Sequence, residues 1–368
     1  MRLRRVILRR VEMPLKFRFR TSMGETSVKK FLLVELDAGD RSAWGECVAE
    51  PEPTFSPETL ETAAHVLRDF LVPLLLAMDD PSPDDFVCGT RFVRGHRMAK
   101  AAVETALWDL AAGRAGRPLG RVLGGVRDRV EVGVSLGIQP TEAALLDLVA
   151  RHVEAGYRRI KLKIEPGRDL DVVRAVRRRF PETPLTADAN AAYSLSDAER
   201  LGRLDEFDLD YIEQPLHHED LLDHAELARR IATPICLDES IRSAADAAAA
   251  IRLGSCRVLN IKVGRVGGLS EARAIHDRAR AAGIPVWCGG MLEAGVGRAV
   301  NVHAATLPNF TKPGDTSSAS RYFDEDIVEP MLEAECGQMP VPAGPGIGVA
   351  VRRDVLGRFT TAIEEFRP

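Results

Sequence analysis

Lysine is scarce in this chain. Only eight of its 50 basic residues are lysine (Lys16, Lys29, Lys30, Lys100, Lys161, Lys163, Lys262 and Lys312), against 42 arginines. Arginine serves wherever a fixed positive charge suffices. A lysine that persists is therefore a candidate for what arginine cannot do, which is to lose a proton near neutral pH. Cysteine is sparse too: Cys47, Cys88, Cys236, Cys256, Cys288 and Cys336 form no CxxC pair and stand beside no histidine cluster. That pattern argues against a zinc site or a disulfide frame and for buried reduced thiols. No run of 18 apolar residues occurs, and Met1 to Glu12 alternates basic and apolar residues, unlike the continuous apolar run of a signal peptide. The expectation is a cytoplasmic protein with no membrane partner. A net charge of −4 offers nothing to nucleic acid. No Gly-x-Gly-x-x-Gly follows a strand-like segment, which argues against a dinucleotide-binding domain.

The chain has 368 residues, enough for a barrel plus a second module. The first part reads as mixed α and β. Segments 3–11, 30–37 and 42–48 are strand-like, with a turn at Ala38-Gly39-Asp40 joining the last two into a hairpin. Two helices follow, one from about Pro57 to Met78 with Ser56 as N-cap, one from about Arg97 to Ala112. From about Val130 short apolar runs alternate with amphipathic helical stretches. Strand cores fall at 132–136, 159–164, 185–188, 209–213, 235–238, 258–261 and 285–288, with a weak eighth near 308–310. Repeated βα units with short loops imply a parallel sheet, and eight of them imply a closed (β/α)8, TIM-like barrel. The expected organisation is an α+β capping domain over 1–125, the barrel over 126–320, and a C-terminal segment over 321–368 packing back on the cap.

One constellation carries the chemistry. Lys163, Asp188, Glu213, Asp238 and Lys262 each stand at or near the C-terminal end of a strand core, separated by 25, 25, 25 and 24 residues. A βα unit of that length returns the chain to the same end of the next strand, so five ionisable groups converge on the face where barrel enzymes build their sites. Alternation in Arg159-Ile160-Lys161-Leu162-Lys163-Ile164 puts the basic residues on one side of the strand. Buried ions there must be paired or must coordinate metal. Three carboxylates without His or Cys are hard oxygen ligands suited to Mg²⁺. Such an ion can hold a substrate carboxylate and the charge of the enediolate left by α-proton removal. Two lysines then serve as acid and base. Arg265, three residues after Lys262, is a candidate helper.

The stretches Lys161-Leu162-Lys163, Asp188-Ala189-Asn190, Glu213-Gln214-Pro215, Leu237-Asp238-Glu239-Ser240 and Asn260-Ile261-Lys262, with Trp44-Gly45-Glu46 near the start, resemble the enolase superfamily, muconate-lactonising subgroup. Mandelate-racemase-like members use a His–Asp base on late strands, an arrangement Lys262 does not share. The chain resembles more closely still the N-succinylamino acid racemases that also act as o-succinylbenzoate synthases, through Gly95 to Lys100, Cys288 to Met291 and Leu307 to Thr316.

The resemblance implies a Mg²⁺-dependent racemase or lyase, with Mn²⁺ able to substitute, serving menaquinone biosynthesis in its synthase form. It implies Asp188, Glu213 and Asp238 as metal ligands and Lys163 and Lys262 as the catalytic pair. Ser135, Lys161, Asn190, Glu239, Gly290 and Met291 would line the substrate. A cap loop with Phe19, Thr21, Met23 and Gly24, and a second near Glu50 to Thr54, would close over it. The partner is a small carboxylate substrate, and a homo-oligomer is expected. Competing readings on the same scaffold are dipeptide epimerase and muconate cycloisomerase. Dipeptide enzymes tend to carry paired aspartates near the eighth strand, whereas Pro313-Gly314-Asp315 offers one acid, which favours a neutral N-acyl substrate. A catalytically inert binding protein on the same fold is the alternative from another class. It fits poorly with five retained charges, since unused buried ions are costly.

Overall fold

The computed structural model describes residues 2–21 and 24–368. An antiparallel sheet opens the chain, built from β1 (Arg5–Thr21), β2 (Gly24–Asp37) and β3 (Ser42–Cys47). The C-terminal strand Thr360–Phe366 adds to its outer edge, pairing Val6 with Phe366 and Arg10 with Ala362. β1 and β2 run well beyond the segments expected from the sequence. Their pairing continues past a register shift between Pro14 and Phe19 and ends at Thr21 against Gly24, so Phe19 and Gly24 of the expected cap loop lie on a paired hairpin arm.

The single helix expected over 57–78 is broken. It runs as Leu60–Val66, a wide π turn Leu67–Leu71, and Val72–Ala77. Pro73 cannot donate to the carbonyl one turn back, and a widened turn just before it absorbs that missing bond. Its N-cap is Thr59, whose side chain accepts from the Thr62 amide, while Ser56 closes a local turn with Glu58. The short helices Pro83–Gly89 and Leu119–Leu123 were not expected from periodicity. Helix Arg97–Arg114 lies across β3, and only glycine fits at position 45 because a Cβ there would collide with the Ala102 carbonyl.

A short strand, β4 (Arg129–Glu131), leads into the barrel and pairs with Gln338–Pro340. The barrel strands are β5 (Val134–Leu136), β6 (Ile160–Lys163), β7 (Leu185–Asp188), β8 (Ile212–Glu213), β9 (Ile235–Leu237), β10 (Val258–Ile261) and β11 (Val286–Cys288). They form one parallel sheet in chain order. The eighth position is filled by segment 310–314, which bridges Val286 through Phe310 and Val132 through Gly314 and so closes the ring. Outer helices such as Leu170–Arg179 and Leu269–Ala281 bury Val173, Val176, Ile275 and Ala279 against the strands.

Cap and barrel are joined by buried carboxylates that cap barrel helices. Glu104 accepts from the Leu269 and Ser270 amides, both at 2.8 Å. Glu46 accepts from the amides of Ala294, at 3.0 Å, and Gly297, at 2.9 Å, at the start of helix Gly295–Ala304. Both acids use the free N–H groups and positive end of a helix N-terminus.

Candidate active site

Register places the charged side chains in layers. Ser135 pairs with Lys161 across β5 and β6, and Lys161 with Thr186 of β7. One layer higher, Lys163 pairs with Asp188, and Asp188 with Glu213. Asp238 follows β9 directly and Lys262 follows β10 directly. Non-glycine residues with positive φ gather just beyond these ends: Asn190, Ala191, Gln214 and Leu292. Such backbone strain concentrates where surrounding structure holds side chains in a fixed aim.

Above the barrel mouth lies a cavity of about 300 Å³. Lys161, Lys163, Asp188, Asn190 and Lys262 line its floor, with Ser135, Gly290 and Met291 beside them and Phe19 and Gly24 from the hairpin arm. Of the expected second loop, Glu50, Glu52 and Thr54 also reach it. Met23 lies outside the described residues, and for Thr21 only the backbone is described. Glu213 and Asp238 sit just below the floor, 0% and 1% exposed, and Glu239 reaches it through Asn190, whose Nδ2 donates to Glu239 Oε1 at 3.1 Å. At position 289 a Cβ would meet the Asn260 amide group, so glycine there lets the backbone run close to β10.

The ions are tightly interlinked. Lys163 Nζ lies 2.7 Å from Asp188 Oδ2 and 2.5 Å from Asn190 Oδ1. Lys161 Nζ lies 2.8 Å from Glu213 Oε2, 2.8 Å from Asp315 Oδ2 and 3.2 Å from Asp188 Oδ2. Lys262 Nζ is 2.8 Å from Asp238 Oδ2 and 4.5 Å from the centre of the Phe55 ring. Arg265 contacts Asp238 as well, and donates to the carbonyls of Ile241 and Asn260.

These contacts set protonation. Burial opposes the charge of Lys161, but Asp315, Glu213 and Asp188 together hold its ammonium well above the usual lysine value. Burial likewise opposes Asp188, yet Lys163 and Lys161 keep its carboxyl below the ordinary range. Glu213 is pushed up, by burial first and then by the neighbouring charge of Asp188. Burial lowers Arg265 to about 9.

The donor chemistry fits a hard divalent cation. Asp188, Glu213 and Asp238 are buried on adjacent strands, and neither oxygen of Asp238 has a well-formed hydrogen bond. The upward push of Asp188 on Glu213 is a repulsion that a cation would relieve. Among the described residues no three such side chains converge on one point. Each acid is instead paired with an ammonium, Asp188 and Glu213 with Lys161 and Asp238 with Lys262.

Several neighbours were not singled out by sequence reasoning. Phe55 covers Lys262, and Glu293, Arg298 and Tyr322 line the cavity. Asp315 is spoken for on both oxygens, with Arg159 on Oδ1 and Lys161 on Oδ2, each at 2.8 Å. The only sequence signal for that pairing was the basic face of 159–163.

Comparison with known proteins agrees with this fold. Residues 3–124 match the N-terminal domain of the mandelate racemase / muconate lactonizing enzyme family, and residues 144–355 match the enolase C-terminal domain-like family. An o-succinylbenzoate synthase of Geobacillus stearothermophilus is 54% identical over 98% of this chain and 96% of its own length. An N-succinylamino acid racemase of Thermus thermophilus is also 54% identical, over 98% of both chains. The crystal structure of an enolase-superfamily member from Listeria innocua superposes with a TM-score of 0.96 at 43% identity, covering 100% of this chain and 99% of that one. The chain is an enzyme of the enolase superfamily and belongs to the family that contains the o-succinylbenzoate synthases and N-succinylamino acid racemases.

Proposed function

We propose that this enzyme removes the α-proton of a carboxylate substrate, as an N-succinylamino acid racemase, an o-succinylbenzoate synthase, or both. One observation carries the reading. Lys163 ends the second strand and Lys262 follows the sixth in an eight-position ring, which sets them across the barrel mouth from each other, and both line the same cavity. A substrate held between them presents one face to each, which is what inversion at a carbon centre requires.

When bound, Mg²⁺ held by Asp188, Glu213 and Asp238 supplies Lewis-acid charge against the substrate carboxylate. The remaining work falls to the chain's own residues. In racemisation one lysine Nζ takes the α-proton and the other delivers a proton to the opposite face. In the dehydrating reaction Lys163 takes the proton and then returns one to the departing β-hydroxyl, which leaves as water, while Lys262 remains a cation beside the developing charge. Asn190 aims Lys163 through its 2.5 Å contact. Lys161, held protonated by three carboxylates, orients the substrate carboxylate and takes no part in proton transfer.

Asp315 favours an N-acyl substrate. A free ammonium held near the eighth strand, as in a dipeptide, needs an unpaired acid there, and both Asp315 oxygens are already bound to Arg159 and Lys161. The test is a substrate panel of N-succinyl amino acids, the synthase substrate, dipeptides and muconate. Turnover of one or both succinyl compounds is expected. Turnover confined to dipeptides or muconate overturns the assignment.

A further inference from the structure

One wall of the cavity is charged differently from the rest. Tyr322 lines it, 5% exposed, with two guanidinium groups against its ring. The Cζ of Arg321 lies 4.9 Å and that of Arg298 5.3 Å from the ring centre. Tyr322 Oη accepts from Arg321 Nη1 at 2.6 Å and from Ser317 Oγ at 3.3 Å, and donates to nothing among the described residues. Arg321 also donates to the carbonyl of Ser135, 2.7 Å away, which ties this wall to another cavity residue.

Neither arginine meets a carboxylate. Arg298 is 3% exposed, its Nη1 and Nη2 donate to the carbonyls of Ser317 and Glu293, and its Nε has no partner. Asp326, whose charge Arg298 favours, is turned to the amides of Gly295 and Ile327 instead. Among the described residues neither Arg298 nor Arg321 forms an ion pair. The buried lysines at the site are all paired with acids, so unpaired guanidinium groups, one buried (Arg298) and one half-buried (Arg321), beside a free hydroxyl donor mark a place for an anion. The wall by Phe55 has the opposite character, since Glu50 and Glu52 line it and repel a carboxylate.

We propose that Tyr322, backed by Arg321 and Arg298, forms an anion subsite that receives a second, distal carboxylate on the acyl group of the substrate. The Tyr322 hydroxyl donates to that carboxylate and the two guanidinium groups supply charge behind it. The amino-acid side chain then lies on the Glu50 and Phe55 side. The subsite makes this a dicarboxylate enzyme and discriminates N-succinyl from neutral N-acyl groups. It rests on the N-acyl reading above for its substrate, but its ligand chemistry can be tested separately.

The kinetic test compares kcat/KM for the N-succinyl and N-succinamoyl derivatives of one amino acid, the second carrying a neutral amide in place of the distal carboxylate. A charge-assisted contact of this kind is worth about thirtyfold, read mainly in KM. Wild type is expected to prefer the succinyl compound by about that factor, and Tyr322→Phe and Arg321→Gln, checked for native circular dichroism, to reduce the ratio to within about threefold. A wild-type ratio near one, or a ratio unchanged in both variants, overturns the proposal. If wild type turns over neither derivative, the functional reading fails and calorimetry with succinate and succinamate still decides the subsite. Tighter binding of succinate, lost in Tyr322→Phe, supports it, and equal affinities overturn it.

Discussion

Replacing Glu46 by glutamine should change how stability depends on pH. Glu46 comes from β3 of the cap, is 5% exposed, and accepts the Ala294 and Gly297 amides of a barrel helix. Burial pushes its carboxyl up to about 8, and the charge of Glu293 adds to that, against the pull of the two amides and Lys29. A carboxyl whose folded-state pKa is raised stabilises the fold fully below its unfolded value near 4.5, and that contribution fades as pH rises through about 8. The slope is about 1.4 kcal/mol per pH unit while the native group holds a proton that the unfolded one has lost. From pH 5 to pH 8 wild type should therefore lose about 4 kcal/mol relative to Glu46→Gln, in which position 46 does not titrate. Glutamine keeps one amide contact and loses the other, an offset independent of pH. Urea unfolding of both proteins at pH 5, 6.5, 8 and 9, followed by circular dichroism, reads the difference directly. A difference constant to within about 1 kcal/mol across that range would refute the linkage.

Other outcomes follow from the same geometry. Glu104→Leu leaves the amides of Leu269 and Ser270 short of an acceptor and the Trp108 indole N–H with only Ser270 Oγ, and should cost about 4 kcal/mol in urea unfolding, with a loss below about 1 kcal/mol counting against the capping role. Asp315→Asn removes the acid paired with buried Arg159 and one of the three on Lys161, so stability should fall by about 3 kcal/mol or more, seen as a lower melting temperature; an unchanged melt contradicts the pairing. Chelation should abolish turnover and added Mg²⁺ restore it, while Mg²⁺ alone raises the melting temperature by binding the folded state. Full turnover after exhaustive chelation would count against the metal assignment.

Much of the barrel was legible because each strand is a short apolar run ending in a polar residue. The segments Leu185–Asp188 and Val258–Ile261 fall where the sequence put them, and the constant spacing of Lys163, Asp188, Glu213, Asp238 and Lys262 already implied one face. What escaped was set by long-range contact. The hairpin arm packs Phe17 toward Tyr322, about 300 residues later in the chain, with ring centres 6.0 Å apart. Glu46 was visible only as part of the Trp44-Gly45-Glu46 stretch and Glu104 as an ordinary acid; the helix ends they cap come from the far part of the chain. Asp315 was visible as a single acid, but only the fold shows that it is already committed to two cations.

The central claim is that Lys163 and Lys262 address opposite faces of one carbon centre. Exchange of the α-hydrogen of N-succinyl L- and D-amino acids in D₂O, followed by proton NMR, tests it in wild type, Lys163→Ala and Lys262→Ala. Wild type should exchange both enantiomers. Each variant should fold, lose racemisation, and lose exchange by about a thousandfold or more from the enantiomer whose proton faces the missing lysine. Undiminished exchange in either variant would contradict the account.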